Sequence, residues 1–314
     1  MSANSYLDIL HSIDPVANED LKAYAPFIVD GIKVGLLEEK VCQKILEYGH
    51  LVDNQLLVTS NEEGQAYVTF SASVTDSNNR TKILKTLTEA WREAAEFNTL
   101  AGWRGELFAI HGDPNDPRGF FFELERSASP IFGIGTYGSH LNGLVRTENK
   151  LPKVWIGQRA ASKQTWPNFL DNTVGGGISS GCSPKEIIIK ESMEEAGIPS
   201  ELATNAVLTG TVSYMIAALG LEQSTLFVYD LYLPDDFQPV PQDGEVGAYY
   251  LYSFEEIEQL LLDGKFMPDA AIVIIDLFIR FGYLTPETNP HYQLLVYGIH
   301  RRLEVPPMSL ARSS

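Results

Sequence analysis

Residues 175–198 read GGGISSGCSPKEIIIKESMEEAGI, placing three glycines, a helix start and three glutamates in one short segment. Ser183 stands at an N-cap position, Pro184 at the first helical position and Glu186 three residues after Ser183, which is a capping box. Gly197 marks the helix end. Ile189, Met193 and Ala196 recur at i, i+4 and i+7 and predict the buried stripe. Glu191, Glu194 and Glu195 then fall at i, i+3 and i+4 on the remaining surface, so the spacing predicts that all three carboxylates share a side. Like charges so placed repel unless a cation lies among them. Mg²⁺, with Mn²⁺ as the alternative, takes oxygen ligands of this kind and leaves room for water and substrate phosphate. An acidic helix face beside a Gly-rich turn (Gly175, Gly176 and Gly177 letting the backbone approach) therefore suits metal-assisted attack by water on a diphosphate. A merely solvated face explains clustered glutamates equally well, and spacing alone does not choose.

The rest of the chain narrows the setting. With 44% hydrophobic and 20% charged residues, its composition is that of a soluble globular protein. A formal charge of -18 argues against nucleic acid and anionic membrane as partners, because both require a basic face. A small phosphorylated molecule stays admissible where metal ions or local Arg and Lys offset the charge. Cys42 and Cys182 are the two cysteines, too few for a disulfide framework or a zinc pattern. The start MSANSYLDILHSID has no basic region followed by an apolar run. The cytosol is the expected compartment, with the nucleus as the alternative.

The 314 residues carry no internal repeat and suit two domains, placed at 1–128 and 129–314. In the first part, VGLLEEKVCQKILEYG predicts a helix with Leu37, Val41 and Ile45 inward. NQLLVTS and QAYVTFSAS predict strands around the turn NEEG, residues 80–97 an amphipathic helix, and GWRGELFAIHG a strand. HGDPNDPRG, residues 111–119, predicts a loop, and GFFFELERSASPIFGIG a return to strand. The second part reads strand, loop, Gly-rich turn and helix, then the strands VLTGTVSYMI, STLFVYDLYLP and GAYYLYS, then helices at 254–263 and 268–282. That order predicts an α/β fold with a mixed sheet and helices packed around it.

The 175–198 segment resembles a Nudix box, G-x5-E-x7-REUxEExGU, through Gly176, Glu191, Glu194, Glu195, Gly197 and Ile198. It departs at Cys182, where the first glutamate is expected, at Lys190 for arginine and at Ser192 for an apolar residue. Further segments are similar to the Nudix proteins related to thiamine pyrophosphokinase. They include Arg80–Thr81, GWRGEL at 102–107, ERSASPIFGIGTYGSHLNG at 125–143, WIGQRAASKQTWPNFLDNTVGGGI at 155–178 and DLYLPDDFQPVPQDGEV at 230–246. The resemblance implies an α/β/α Nudix sandwich behind a smaller, family-specific N-terminal α/β domain. It also implies Mg²⁺-dependent hydrolysis of diphosphates, notably oxidised or damaged thiamine diphosphate analogues. Glu191, Glu194 and Glu195 would be the metal ligands. Glu245 in QDGEV is a further catalytic candidate by the same resemblance, against an ordinary turn acid.

Arg159 and Lys163 are candidates for offsetting phosphate charge. Trp166, Tyr214 and Phe169 could stack on a ring, although core packing is the commoner use of such residues. His140 and Asn142 could line the pocket, against a hydrogen-bonded structural histidine. GISSG at 177–181 also satisfies G-x-S-x-G, making Ser179 a rival nucleophile with Asp276 and His291 or His300 downstream. The following helix carries too many charges to be buried as that rival requires. A degenerate module that binds a nucleotide or thiamine-like ligand without cleaving it is the non-enzyme alternative. A homodimer is compatible with the first part.

Overall fold

The computed structural model describes residues 5–16, 20–112, 119–148, 151–217 and 220–308. In chain order its elements are α1 (Tyr6–Ile13), β1 (Ala25–Val29), β2 (Ile32–Leu37), α2 (Glu39–Tyr48), β3 (Leu56–Ser60), β4 (Ala66–Phe70), α3 (Ser77–Glu93), β5 (Leu107–Ile110), β6 (Phe122–Glu125), α4 (Ser129–Phe132) and β7 (Gly135–Val145). There follow β8 (Lys153–Arg159), β9 (Leu170–Asp171), β10 (Val174–Gly177), α5 (Pro184–Ala196), α6 (Ser200–Ala203), β11 (Val207–Ala217), β12 (Leu221–Tyr232), β13 (Val246–Tyr252), α7 (Phe254–Leu262), α8 (Pro268–Arg280) and α9 (Tyr292–Gly298).

The first sheet has the order β2-β1-β4-β3, and β5 and β6 form a separate hairpin. Alternation in β1 turns Ala25, Phe27 and Val29 into a core closed by Ile83, Leu84, Leu87 and Trp91 of α3. α3 begins at Ser77, ahead of the expected Arg80, because the Asp76 carboxylate accepts the Asn79 N–H (2.9 Å). It stops at Glu93, not Phe97, with Ala95 in the left-handed region (φ 52°).

Two local expectations are corrected here. Leu37 is not the first helical residue but the last of β2, whose residues 34–37 are all buried. The segment expected as strand after Phe122 turns helical at 129–132, where Pro130 sits in the first turn and Gly133 (φ 54°) ends it. A Cβ on Gly133 would lie 2.1 Å from the Leu36 carbonyl oxygen, so glycine fixes where that turn meets β2. Most of the expected 111–119 loop, residues 113–118, lies outside the described residues.

The second sheet has the order β11-β12-β7-β8-β13, with β10 paired to β7 and β9 to β8. β12 runs parallel to β7 while the other pairs are antiparallel, so the sheet is mixed as expected. α8 covers one face with its residues 270–278 all buried, because α1 and α9 pack on it in turn. Tyr6, Ile9, Leu10 and Ile13 thus belong to the core of the second sheet, not the first. α5 covers the other face and gives three layers, α/β/α. Among the described residues no helix is long and apolar enough to cross a membrane.

Candidate active site

The capping box of α5 forms as read: Ser183 Oγ accepts the Glu186 N–H (3.3 Å), and Glu186 Oε2 accepts the Ser183 N–H (2.8 Å). Gly197 closes the helix at φ 62°. The helix is rotated from its expected setting. Ile187, Ile188, Ser192, Glu195 and Ala196 face inward, whereas Met193 is 48% exposed and does not join the core stripe.

The cause lies in the glycines, which form strand β10 and not the expected turn. A Cβ on Gly176 would stand 2.6 Å from Glu191 Cγ, so its absence admits the Glu191 side chain against the strand. The Gly175 N–H donates to Glu195 Oε2 (3.2 Å). Glu191 and Glu195, one turn apart, therefore point at the sheet. Glu194 is half exposed and pairs with Lys190 (3.1 Å), which also holds Glu191 (3.0 Å). The three carboxylates lie on one side of the helix, but that side turns toward the sheet, with Glu195 buried, Glu191 between and Glu194 at its exposed edge.

Glu195 meets two acids from elsewhere. Its carboxylate and those of Asp243 and Glu245 place one oxygen each within 4.8 Å of one another. The connection between β12 and β13 brings them there by satisfying the open end of α5. Val240 N–H donates to the Ala196 carbonyl (3.0 Å) and Gln242 N–H to that of Glu195 (3.3 Å). Glu245 N–H then closes a turn on Asp243 Oδ1 (2.8 Å), and the Glu245 carbonyl accepts the Ala160 N–H (2.8 Å) beyond β8.

Burial, and after it the charge of Asp171, holds the Glu195 carboxyl well above the usual carboxylate range; Glu191 and Asp243 add to this against the Gly175 N–H. Glu191 is raised too, by burial first and by Glu194 and Glu245 against Lys190. Glu245 moves the other way. Burial acts to raise it, but the Lys163 ion pair and the charges of Arg104 and Arg159 hold it below its ordinary value. Arg159 pairs with Asp171 (3.1 Å) and donates to the Thr165 carbonyl (3.1 Å). Arg159, Asp171, Asn172, Gly175, Glu195 and Glu245 line one small cleft.

Of the other expected residues, Lys163 reaches the cluster through Glu245. His140 stands one layer behind, its Nδ1 2.7 Å from Asn172 Oδ1. Asn142 donates to Asp230 (3.0 Å), which Arg280 also holds, away from the cleft-lining set. Tyr214 is buried in the core against α8, the packing use weighed for it. Trp166 is 44% exposed at φ 52°, with its ring edge to face on Phe169 (5.0 Å). Among the described residues Ser179 has no imidazole partner: it donates to Glu106 (2.6 Å), His300 Nδ1 lies by the Val296 carbonyl (2.8 Å), and Asp276 holds Arg280 (2.7 Å). The serine-nucleophile geometry is not assembled.

Asp243 and Asp171 escaped the residue-by-residue reading. Both lie within stretches whose resemblance was noted, two residues before Glu245 and one after Leu170, but a turn aspartate carries no spacing signal of its own.

A family model described as a domain of unknown function (DUF4743) matches residues 6–136. Nudix hydrolase 20, chloroplastic, of Arabidopsis thaliana is 32% identical over 279 residues, which are 88% of this chain and 73% of that protein. An uncharacterized protein of Saccharomyces cerevisiae is 32% identical across 97% of this chain and 93% of its own length. The Nudix domain of Shewanella oneidensis NrtR, solved with ADP ribose, is 16% identical over 48% of this chain and 90% of that one, with a TM-score of 0.38. The fold is a mixed-sheet α/β/α sandwich with an acidic helix turned toward the sheet. The chain belongs to the Nudix hydrolase family.

Proposed function

We propose that this hydrolase cleaves the diphosphate of oxidised or damaged thiamine diphosphate analogues, of the oxo- and oxythiamine type, to a monophosphate and phosphate, with Mg²⁺ as cofactor. The observation that carries the catalytic part is the convergence of Glu195, Asp243 and Glu245 beside Lys163 and Arg159. The donor set fits the ion. Three carboxylate oxygens are hard ligands, and two crowded acids raised above their usual range are what a divalent cation relieves. Glu195, Asp243 and Glu245 would hold it, with Glu191 adjacent and Glu194 at the rim. Bound there, Mg²⁺ would supply the charge that neutralises phosphate oxygens and acidifies a water.

The chain's own residues supply the remainder. Lys163 and Arg159 grip phosphate oxygens by charge-assisted hydrogen bonds. Glu191, held above the usual carboxylate range, is matched to taking a proton from water nearer neutral pH. Attack of the water oxygen on one phosphorus forms a P–O bond and breaks the anhydride P–O bond, so that the organic monophosphate and phosphate are released and the water proton passes to Glu191. Resemblance of residues 80–246 to the thiamine pyrophosphokinase-related Nudix proteins supports the organic half of the substrate.

The test is phosphate release from a panel of thiamine diphosphate analogues, nucleotide sugars and dinucleotides with Mg²⁺. The expected result is turnover of the analogues, falling at least a hundredfold in Glu195→Gln, the order expected for loss of a group acting in the transition state. Turnover of bridged substrates only would refute the substrate class. Binding without turnover would identify a catalytically silent module instead.

A further inference from the structure

Strand β10 meets both inward acids of α5, Glu191 through the space at Gly176 and Glu195 through the Gly175 N–H. The height of the strand against the helix therefore fixes where those carboxylates stand. Residues 178–183 join the two elements and turn at Gly181 (φ 84°), where the Cys182 N–H donates to the Ser179 carbonyl (3.1 Å). This connection is fastened to the first part of the chain.

The fastening is the open end of the β5–β6 hairpin. Its ladder continues one pair past the strands, the Arg126 N–H donating to the Glu106 carbonyl (2.9 Å), which sets the two side chains side by side. Both oxygens of the Glu106 carboxylate are then used. Oε1 accepts the Ser179 hydroxyl (2.6 Å), and Oε2 accepts the Arg126 guanidinium (2.9 Å). The Leu107 carbonyl accepts the Ser180 N–H (2.8 Å). Arg126 also lies along Gly177, where a Cβ would stand 3.2 Å from its guanidinium carbon and from the Phe108 ring. Burial acts to raise the Glu106 carboxyl, but Ser179 and Arg126 outweigh it and hold the group below its ordinary value. It is thus an anionic acceptor near neutral pH, with Ser179 as its donor.

We infer that Glu106 is a positioning residue, through which the N-terminal part of the chain sets the seat of the acidic helix against β10. It acts through Ser179, whose hydroxyl serves as the donor of that clamp. The Glu106 and Arg126 side chains are 26% and 36% exposed, and ion pairs so open to water add little to global stability. The effect of Glu106 therefore falls on local order and on turnover, not on melting. The consequence for turnover rests on the proposed hydrolase reading; the local order does not.

The test uses the full chain as wild type, Glu106→Ala, Ser179→Ala, the two combined, and Glu106→Gln. Hydrogen exchange is followed at the Gly175 and Ser180 amides, with the amides of β12 as internal reference. The expected result is exchange about tenfold or more faster at both in Glu106→Ala and Ser179→Ala, the loss of one hydrogen bond to a charged group, with β12 unmoved. Beside it, kcat falls roughly ten- to a hundredfold with KM little changed, because a small misplacement of reacting groups slows the chemical step. The combined variant loses no more than Glu106→Ala, since both side chains act in one contact. Glu106→Gln keeps an oxygen for the Ser179 hydroxyl and recovers part of both losses. Unchanged exchange at Gly175 and Ser180 overturns the inference, as does wild-type kcat despite faster exchange, or additive losses in the combined variant. If wild type turns over no diphosphate, the hydrolase reading falls and exchange alone decides the positioning. If Glu106→Ala melts early, Ser179→Ala and Glu106→Gln decide, and wild-type exchange and kcat in Ser179→Ala overturn it.

Discussion

Ser192 shows how one residue can depart from a pattern and remain inside it. An apolar side chain is expected there; the serine is buried, and its hydroxyl has no hydrogen-bond partner among the described residues. An unmet buried hydroxyl costs free energy, so Ser192→Ala should leave the melting temperature unchanged or raise it. A clear drop would mean that the hydroxyl has a partner in solution. Gly176 predicts the opposite sign. Alanine there would meet Glu191 at 2.6 Å, and the overpacking should cost about 1–3 kcal/mol and misplace the Glu191 carboxylate. Loss of both stability and turnover, measured by denaturant unfolding and phosphate release, is the expected outcome. At this scale the sequence disclosed which side chains were chemical but not where they point. Glu191, Glu194 and Glu195 were legible as acids on one side of a helix, yet whether that side faces solvent or the sheet depends on a rotation that the spacing does not give.

Elements were more legible than orientations. The Ser183–Pro184–Glu186 start and the Gly197 stop bound α5 as read, because capping is local chemistry. Replacing Ser183 with alanine should therefore cost about 1 kcal/mol in denaturant unfolding, through the lost cap. The β12–β13 connection was far less legible. It reads as Pro- and Asp-rich loop, and only the docking of Val240 and Gln242 on the end of α5 turns Asp243 toward Glu195. Contacts between segments distant in sequence leave no periodic trace. For the same reason the glycine run reads as a turn: its pairing partners, Gly138 to His140, lie some way upstream.

The whole molecule ties its two parts together at both ends. Helix α1 is packed among α8, α9 and β11, and a Cβ on Gly298 would lie 2.1 Å from Leu10 Cδ2. Leu10→Ala should cost about 2–5 kcal/mol and lower the melting temperature of the second core, although residue 10 comes before the first. Nothing in the spacing of YLDILHSI announced that destination. At the other junction His111 lies edge to face with Tyr137 (5.8 Å), and burial holds its imidazole below the ordinary value against the Gly119 carbonyl. The fold therefore prefers neutral His111. Its contribution is complete above the unfolded pKa of about 6.5 and is lost as pH falls through the lowered folded one. His111→Gln should flatten that acid-side loss in melting curves, and an unaltered profile would show that His111 does not titrate against folding.

The central claim is that Glu195 works with Asp243 and Glu245, and not with the outer face of its own helix. The most direct measurement is anomalous diffraction from crystals soaked in Mn²⁺. The account predicts a peak within ligand distance of all three of these carboxylates, absent in Asp243→Asn crystals. A peak on the solvent side of Glu194, or none beside Glu195, would contradict it.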